Sequence, residues 1–469
     1  MPVAKRQKLA HGNGLNKSRG TDAKRQAVIA SSCLRKEAQP LHRAKERVLA
    51  MEKARLSSTA AAVIIGGGQA GAEAATMLRQ YRFEGRIVLI GAENDLPYMR
   101  PPLSKSFLAR EISKEQLIYK AAAAYEKAQV EMRLGVKVEE IDRRARKLLL
   151  NGDEALAYDK LVIATGGRAR ELPVPGANLR NIFYLRTIAD VEALQPHMEF
   201  GRRVVIVGGG YIGLEAAAVA VKRGLAVTVL ESAPRVLARV TAPDLSNFYE
   251  RVHCEAGASI CTGVTVSGFA AGEDGSVSTV QCAGGQSFAA DFVLIGIGLV
   301  PNTELAQQAG LEVDDGIVVD AASRSSDTDI YAVGDCAMHA RHGFLRRRIR
   351  LESVPNALEQ ARAAAASITK RPIPESAAPW FWSDQYHLKL QMVGDSEGYD
   401  ELAIRGRMET SSFIAFYLRH GQVTGADSVN RLGEFMAAKR IVGERMEIAA
   451  GRLSDESVPL KSLLQSAAA

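Results

Sequence analysis

The sequence contains no Cys-x-x-Cys pair, and its five cysteines (Cys33, Cys254, Cys261, Cys282, Cys336) lack any zinc-ligand spacing. Cys-x-x-Cys redox chemistry and a cysteine-built zinc site are thereby excluded, and the thiols suit a reducing compartment with no redox task. No apolar run reaches the roughly 18 residues of a membrane span. A basic body is also missing. Of 60 Lys/Arg and 53 Asp/Glu, residues 1 to 58 hold 14 and 4, so the net charge of +7 comes from a leader of net +10, and the remainder is −3. The mildly acidic body gives no reason to expect nucleic acid or a membrane surface. With 469 residues, 47% of them hydrophobic, two to four domains are expected.

What is there is organised around residues 60 to 93. The run Ala61-Ala62-Val63-Ile64-Ile65 leads into Gly66-x-Gly68-x-x-Gly71, an alanine-rich helical stretch and a second apolar run ending near Glu93. In such a strand–turn–helix–strand unit the first glycine permits the turn, the second lets a pyrophosphate approach the backbone, and the third lets the helix pack closely. The helix N-terminus holds the phosphates, and an acid at Glu93, 22 residues past Gly71, can bond a ribose. Residues 203 to 231 repeat the design, with Gly208-x-Gly210-x-x-Gly213 and Glu231 closing the next strand. Two such units predict two dinucleotide sites. One for a flavin and one for a nicotinamide would pass a hydride from NAD(P)H to the flavin. Glu231 bonds the 2′-hydroxyl of NADH and repels a 2′-phosphate, so NADH is the expected donor.

Other segments fill in the organisation. Residues 1 to 58 admit three readings: a transit peptide, a nucleic-acid or membrane arm, or an artefact of an upstream start codon with translation beginning at Met51, which is favoured. The adjacent prolines of Leu96 to Lys105 predict an extended turn rather than helix. Residues 134 to 150 read as strands and a hairpin, and Leu161 to Ala164, Asp291 to Pro301 and Asp329 to Asp335 as further strands ending in small-residue turns. From Trp380 longer alternating segments predict antiparallel strands, then an amphipathic helix from about Leu432 to Arg445. The expected architecture is α/β, with two Rossmann-like domains and a C-terminal α+β domain: FAD binding over 59–166 and 296–377, NADH binding over 167–295, and the third domain over 378–469.

From about Thr59 to Leu464 the chain resembles the FAD-dependent ferredoxin reductases of bacterial oxygenase systems, which share the glutathione-reductase-like arrangement. RPPLSK (Arg100–Lys105), ATGGR (Ala164–Arg168), YLRT (Tyr184–Thr187), VVIVGGGYIGLE (ending at Glu215) and RVTAP (Arg239–Pro243) carry the match. So do GIGLVPN (Gly296–Asn302), AVGDC, ESVPNALEQA (Glu352–Ala361), APWFWSDQY (Ala378–Tyr386) and DESVPLK (Asp455–Lys461). The resemblance implies that Gly66, Gly68, Ala70 and Gly71 meet the FAD pyrophosphate, with Lys105 and Val354 near the ring and Val138 against the adenine. It places Arg186 near the nucleotide, Asp335 on the ribityl or pyrophosphate, and Trp382 beside the flavin. Arg100, Thr165 and Gly298 join the cofactor-binding set. Gly208, Gly210, Tyr211, Ile212, Gly213 and Glu231 would hold NADH. A close relative carries an acid where Ala92 stands, one residue before Glu93. Lys105 and Glu215 are expected as a flavin-tuning pair, the lysine favouring the anionic reduced flavin and the glutamate holding it.

Disulfide-reducing relatives place a cysteine pair soon after the first βαβ unit, whereas this chain offers Ser104 and no cysteine between Cys33 and Cys254. Cys336 reads as a packed residue. Single-electron delivery to an external carrier or direct reaction with oxygen therefore remains. The resemblance implies a carrier, a [2Fe–2S] ferredoxin serving a haem-thiolate monooxygenase or a ring-hydroxylating (Rieske) dioxygenase. Ferredoxins being acidic, Arg341, Arg346, Arg347, Arg348 and Arg350 are the expected docking patch, against the plainer reading of a solvated charge run. A rubredoxin reductase is the alternative, and a flavoprotein resembling apoptosis-inducing factors a more distant one. The expected protein is cytoplasmic, bacterial, and a monomer or weak dimer.

Overall fold

The computed structural model describes residues 60–464. The basic leader, its three readings and Cys33 lie outside the described residues.

Strand β1 (Ala61–Ile65), helix α1 (Gln69–Gln80), β2 (Arg86–Gly91) and β3 (Val130–Leu134) follow the first fingerprint, and β4 (Lys160–Ile163) pairs on the other side of β1. β1, β2 and β4 are short and apolar on both faces beyond their first residues because the parallel sheet is covered on both sides, whereas β3, at the sheet edge, carries the partly exposed Glu131 and Arg133. β5 (Ile182–Tyr184), β6 (Arg203–Val207), helix α2 (Tyr211–Lys222), β7 (Ala226–Glu231), helix α3 (Pro243–Glu255), β8 (Ser259–Thr262) and β9 (Phe292–Ile295) build a second unit. Its sheet runs β8-β7-β6-β9-β5, all parallel. β10 (Ile330–Ala332) then returns to the first sheet, giving it the order β10-β4-β1-β2-β3. The chain's two crossings between the units meet as an antiparallel ribbon, Gly167–Ala169 against Leu299–Pro301. Helix α4 (Val354–Ile368) packs closely on α1, and both helices are rich in buried alanine.

The last part is an antiparallel sheet of β11 (Trp380–Gln385), β12 (Leu388–Gly394), β13 (Glu401–Arg407), β14 (Ser412–Arg419) and β15 (Gln422–Val429), in the order β11-β12-β15-β14-β13. Helix α5 (Leu432–Gly443) packs on one face. The other face shares a core with the second unit: Leu245, Phe248 and Tyr249 of α3 belong to the same cluster as Phe413, Ala415 and Tyr417. Phe248 meets Phe413 edge-on at 5.0 Å. This seam brings β11 against α2.

One expectation is overturned. The prolines of RPPLSK do not hold an extended turn; Pro101–Ser104 is a 3₁₀ helix with proline in its first positions. There the missing N–H has no intrahelical acceptor to lose and the ring's fixed φ suits the turn.

Candidate functional site

Each fingerprint glycine has a separate physical reason. Gly66 sits at φ +120°, and a Cβ there would lie 2.1 Å from the Ala164 carbonyl oxygen. A Cβ on Gly71 would lie 2.0 Å from the Gly66 carbonyl oxygen, so the helix start could not close on its own turn. Gly68 differs. Its backbone is extended (φ −85°, ψ −176°), a conformation open to any residue, and a Cβ would meet no protein atom within 4 Å. Neither strain nor packing asks for glycine, so the demand comes from something that is not protein. The second unit repeats the triad: Gly208 at φ +111° against the Gly296 carbonyl (2.4 Å), Gly213 against the Gly208 carbonyl (2.1 Å), and Gly210 extended and facing open space. Neither helix carries an acid in its first turn or a side-chain cap, which leaves the N–H groups at the α1 and α2 N-termini for phosphate oxygens. Two dinucleotide pyrophosphates fit these cradles.

Glu231 ends β7 with one carboxylate oxygen accepting from Gly209 N–H at 2.7 Å and the other from Ala233 N–H at 2.7 Å. The acid is thus fixed to the turn it would serve. Glu93 is engaged otherwise: Arg100 Nη2 donates to it at 2.7 Å and the Tyr98 hydroxyl at 2.5 Å. Arg100 also donates to the Arg186 carbonyl at 2.7 Å, and Arg186 Nη2 pairs with Asp335 at 2.8 Å. Glu93, Arg100, Arg186 and Asp335 are therefore one connected group, with Tyr98 as a member that sequence reasoning missed. Thr165 Oγ1 donates to the Asn302 carbonyl at 2.6 Å and the Asn302 amide returns to the Thr165 carbonyl, tying the ends of two strands together.

Lys105 Nζ lies 2.8 Å from Glu215, which is 1% exposed. The same carboxylate accepts from Ser104 Oγ at 2.5 Å and from Ser383 Oγ at 2.6 Å. Ser383 comes from β11, so three parts of the chain meet at one buried anion. Tyr211, at the start of α2, packs against Phe381 with the rings tilted at 43° and their centroids 5.1 Å apart, and its hydroxyl reaches Met392 Sδ at 2.8 Å. Burial, with the Asp427 carboxylate next in weight, pushes this phenol well above its ordinary range. Trp382 lies against Trp380 at 5.6 Å, and Lys439 Nζ stands 4.6 Å over the Trp380 ring.

Of the remaining expected residues, Ala70 is buried in α1 and Val138 is buried in the apolar cluster beside the first sheet. Val354 opens α4 behind the Ser353 cap. Ile212 is 42% exposed, an unusual position for an isoleucine on a helix start. Gly298 has φ +112°, and guanidinium nitrogens of Arg170 and Arg239 lie 4.0 Å from where its Cβ would stand.

The basic run is not a free patch. Arg347 pairs with Asp395 and Glu397, Arg348 with Glu312 and Asp314, and Arg350 with Asp315 and Glu352. Arg341 and Arg346 are exposed and have no ion-pair partner among the described residues. Of the cysteines, Cys336 is fully buried with its thiol pushed up by that burial, and Cys254, Cys261 and Cys282 are unpaired. No helix among the described residues is long and apolar enough to cross a membrane, and no cluster of three metal-ligating side chains occurs among them.

Comparison with known proteins supplies the deciding observation. The pattern of the pyridine nucleotide-disulphide oxidoreductases matches residues 60–361. The chain belongs to that family. A second pattern, the reductase C-terminal domain, matches residues 380–464. Putidaredoxin reductase CamA of Pseudomonas putida is 46% identical over 412 residues, 87% of this chain and 97% of that one. A rubredoxin-NAD(+) reductase of Pseudomonas putida is 38% identical over 371 residues, 79% of this chain and 96% of the relative. Among solved structures, the covalent putidaredoxin reductase–putidaredoxin complex matches with a TM-score of 0.86 at 45% identity, covering 88% of this chain and all of that one. The protein is an oxidoreductase with FAD and NAD(H) as cofactors, and the two cradles are the sites that fit them.

Proposed function

We propose that this flavoprotein takes a hydride from NADH and delivers single electrons to a [2Fe–2S] ferredoxin feeding a haem-thiolate monooxygenase or Rieske dioxygenase. The end-to-end match to putidaredoxin reductase, C-terminal domain included, carries the reading. Bound FAD supplies the conversion of a two-electron donor into one-electron deliveries. The chain's own residues do the rest. Gly68 and the α1 N-terminus admit the FAD pyrophosphate, with Arg100, Thr165, Arg186, Asp335, Val138 and Val354 around the remainder. Gly210, Tyr211, Ile212 and the α2 N-terminus admit NADH, whose ribose Glu231 holds. Lys105 stabilises negative charge at the flavin and Glu215 fixes its position.

For the carrier, the docking patch of this proposal is Arg346 with Arg341, a choice supported by the pairing of Arg347, Arg348 and Arg350 with the chain's own acids. Arg346→Glu is expected to raise the KM for ferredoxin several-fold while NADH–ferricyanide turnover stays unchanged; equal loss in both assays refutes docking there. A cytoplasmic location belongs to the same proposal, supported by the unpaired cysteines of the described residues.

The resemblance to a rubredoxin-NAD(+) reductase favours a second reading, with rubredoxin as the carrier. Anaerobic stopped-flow reduction by NADH, followed by mixing with a [2Fe–2S] ferredoxin or a rubredoxin, tests both. Flavin bleaching and then fast transfer to the ferredoxin is the expected result. Transfer to rubredoxin alone establishes the second reading, and bleaching followed only by reoxidation in oxygen removes both.

A further inference from the structure

Glu215 is the end of a buried hydrogen-bonded chain. Ser383 Oγ lies 2.6 Å from its carboxylate, Gln385 Nε2 lies 3.2 Å from Ser383 Oγ, His253 Nε2 lies 2.9 Å from Gln385 Oε1, and the Tyr386 hydroxyl lies 3.1 Å from His253 Nδ1. Ser383, Gln385 and His253 are each at most 1% exposed. The charge at one end fixes every proton along the line. A carboxylate only accepts, so Ser383 donates to it. The serine oxygen then accepts, which turns the Gln385 amide NH₂ toward it and leaves the amide oxygen facing His253. That oxygen requires a donor, so His253 carries its proton on Nε2. Burial holds the ring neutral by pushing its titration down, leaving Nδ1 to accept from Tyr386. All four donors point the same way, and aligned bonds polarise one another toward the anion.

We propose that Ser383, Gln385 and His253 are positioning residues for the flavin site, a one-directional chain by which α3 and β11 hold the Glu215 carboxylate and, through it, the Lys105 ammonium. The proposal rests on the reading of Lys105 and Glu215 as a flavin-tuning pair. It gives the C-terminal strand a part in the electron-accepting site beyond the contact made by Trp382. Deleting the Ser383 hydroxyl strips one carboxylate oxygen of its partner. The carboxylate then closes further on Lys105, and less of the lysine's charge is left to stabilise the reduced cofactor.

Spectroelectrochemical titration of the FAD-loaded enzyme reads this directly. Ser383→Ala is expected to lower the flavin midpoint potential, Ser383→Thr to restore it, and Ser383→Ala in a Glu215→Gln background to add nothing further. An unchanged potential in Ser383→Ala, or an equal shift with and without Glu215, overturns the chain. Should Ser383→Ala not fold, Gln385→Leu makes the same test one link further out. The ¹⁵N shifts of His253 in the loaded enzyme, assigned with a His253→Asn variant, give an independent readout: the neutral Nε2–H tautomer is expected, and the Nδ1–H tautomer overturns the polarity derived above. If Lys105→Met and Glu215→Gln themselves leave the potential unchanged, the flavin-pair reading fails first and the positioning role with it.

Discussion

Asp427 is fully enclosed at the seam between the second unit and the C-terminal sheet, and no lysine or arginine pairs with it among the described residues. Its carboxylate accepts from the Tyr417 hydroxyl at 2.6 Å and from Thr241 Oγ1 at 2.9 Å, while Tyr211 and Tyr249 stand close by. Burial raises its titration from 3.8 to about 6, and the two hydroxyls offset only part of that rise. A carboxyl whose affinity for a proton is higher folded than unfolded loses stability as the solution becomes less acidic. The loss begins near the unfolded value and is complete above about 6. A rise of about two units corresponds to roughly 3 kcal/mol in full, of which about 2 kcal/mol falls between pH 4.5 and 7.5. Asp427→Asn keeps the shape and removes the charge, so urea unfolding of the two FAD-loaded proteins at the two pH values isolates the effect. The variant is expected to gain about 2 kcal/mol on the parent across that interval. A difference that is flat with pH, or that favours the parent as pH rises, refutes the reasoning.

The glycines make a sharper pair of cases. Gly66→Ala has no room and is expected not to fold, whereas Gly68→Ala should fold normally and lose FAD affinity. With overpacking costing about 1–3 kcal/mol, the loss is roughly 5- to 150-fold, read by flavin fluorescence on titration. Gly210→Ala should retain FAD and weaken NADH by a similar factor; parallel loss of both cofactors would contradict separate cradles. Glu231→Gln removes a carboxylate that at 4 Å repels a phosphate charge by about 1 kcal/mol even in water, so the ratio of NADPH to NADH turnover should rise several-fold. A ratio that holds or falls would remove Glu231 as the discriminating acid.

How far these features could be read beforehand depended on how local their causes are. Both fingerprints were legible because turn, cradle and helix start lie within six consecutive residues. The apolar strands were legible because burial on both faces leaves no polar position. Lys105 and Glu215 are far apart in sequence and came together only through a family resemblance; Ser104 lay in view as the neighbour of Lys105 but without its partner. Ser383 and Gln385 did carry a signal, since polar residues at alternate positions of a strand rich in tryptophan and phenylalanine need buried partners. The arginine run misled in the opposite direction. Its neutralising acids, Glu312, Asp314, Asp315, Asp395 and Glu397, lie tens of residues away, so a dense positive stretch of sequence is a mostly balanced surface in space. In Pro101–Ser104, two prolines at a helix start look the same in sequence as two prolines that prevent one.

The ribbon joining Gly167–Ala169 to Leu299–Pro301 bears on how the molecule tolerates a divided first sheet. Because the outgoing and returning strands lie side by side, everything between them is, in connectivity, a single loop closed on a two-stranded stem. The entropy of closing such a loop grows only with the logarithm of its length, at about 0.6 kcal/mol per doubling. Strand β10 can therefore find β4 across a whole intervening unit at about 2 kcal/mol more than across a surface excursion of about eight residues. Insertions in loops of residues 170–298 that spare the core α3 shares with the C-terminal sheet and the Arg186–Asp335 pair are expected to leave the first sheet completed in the same register.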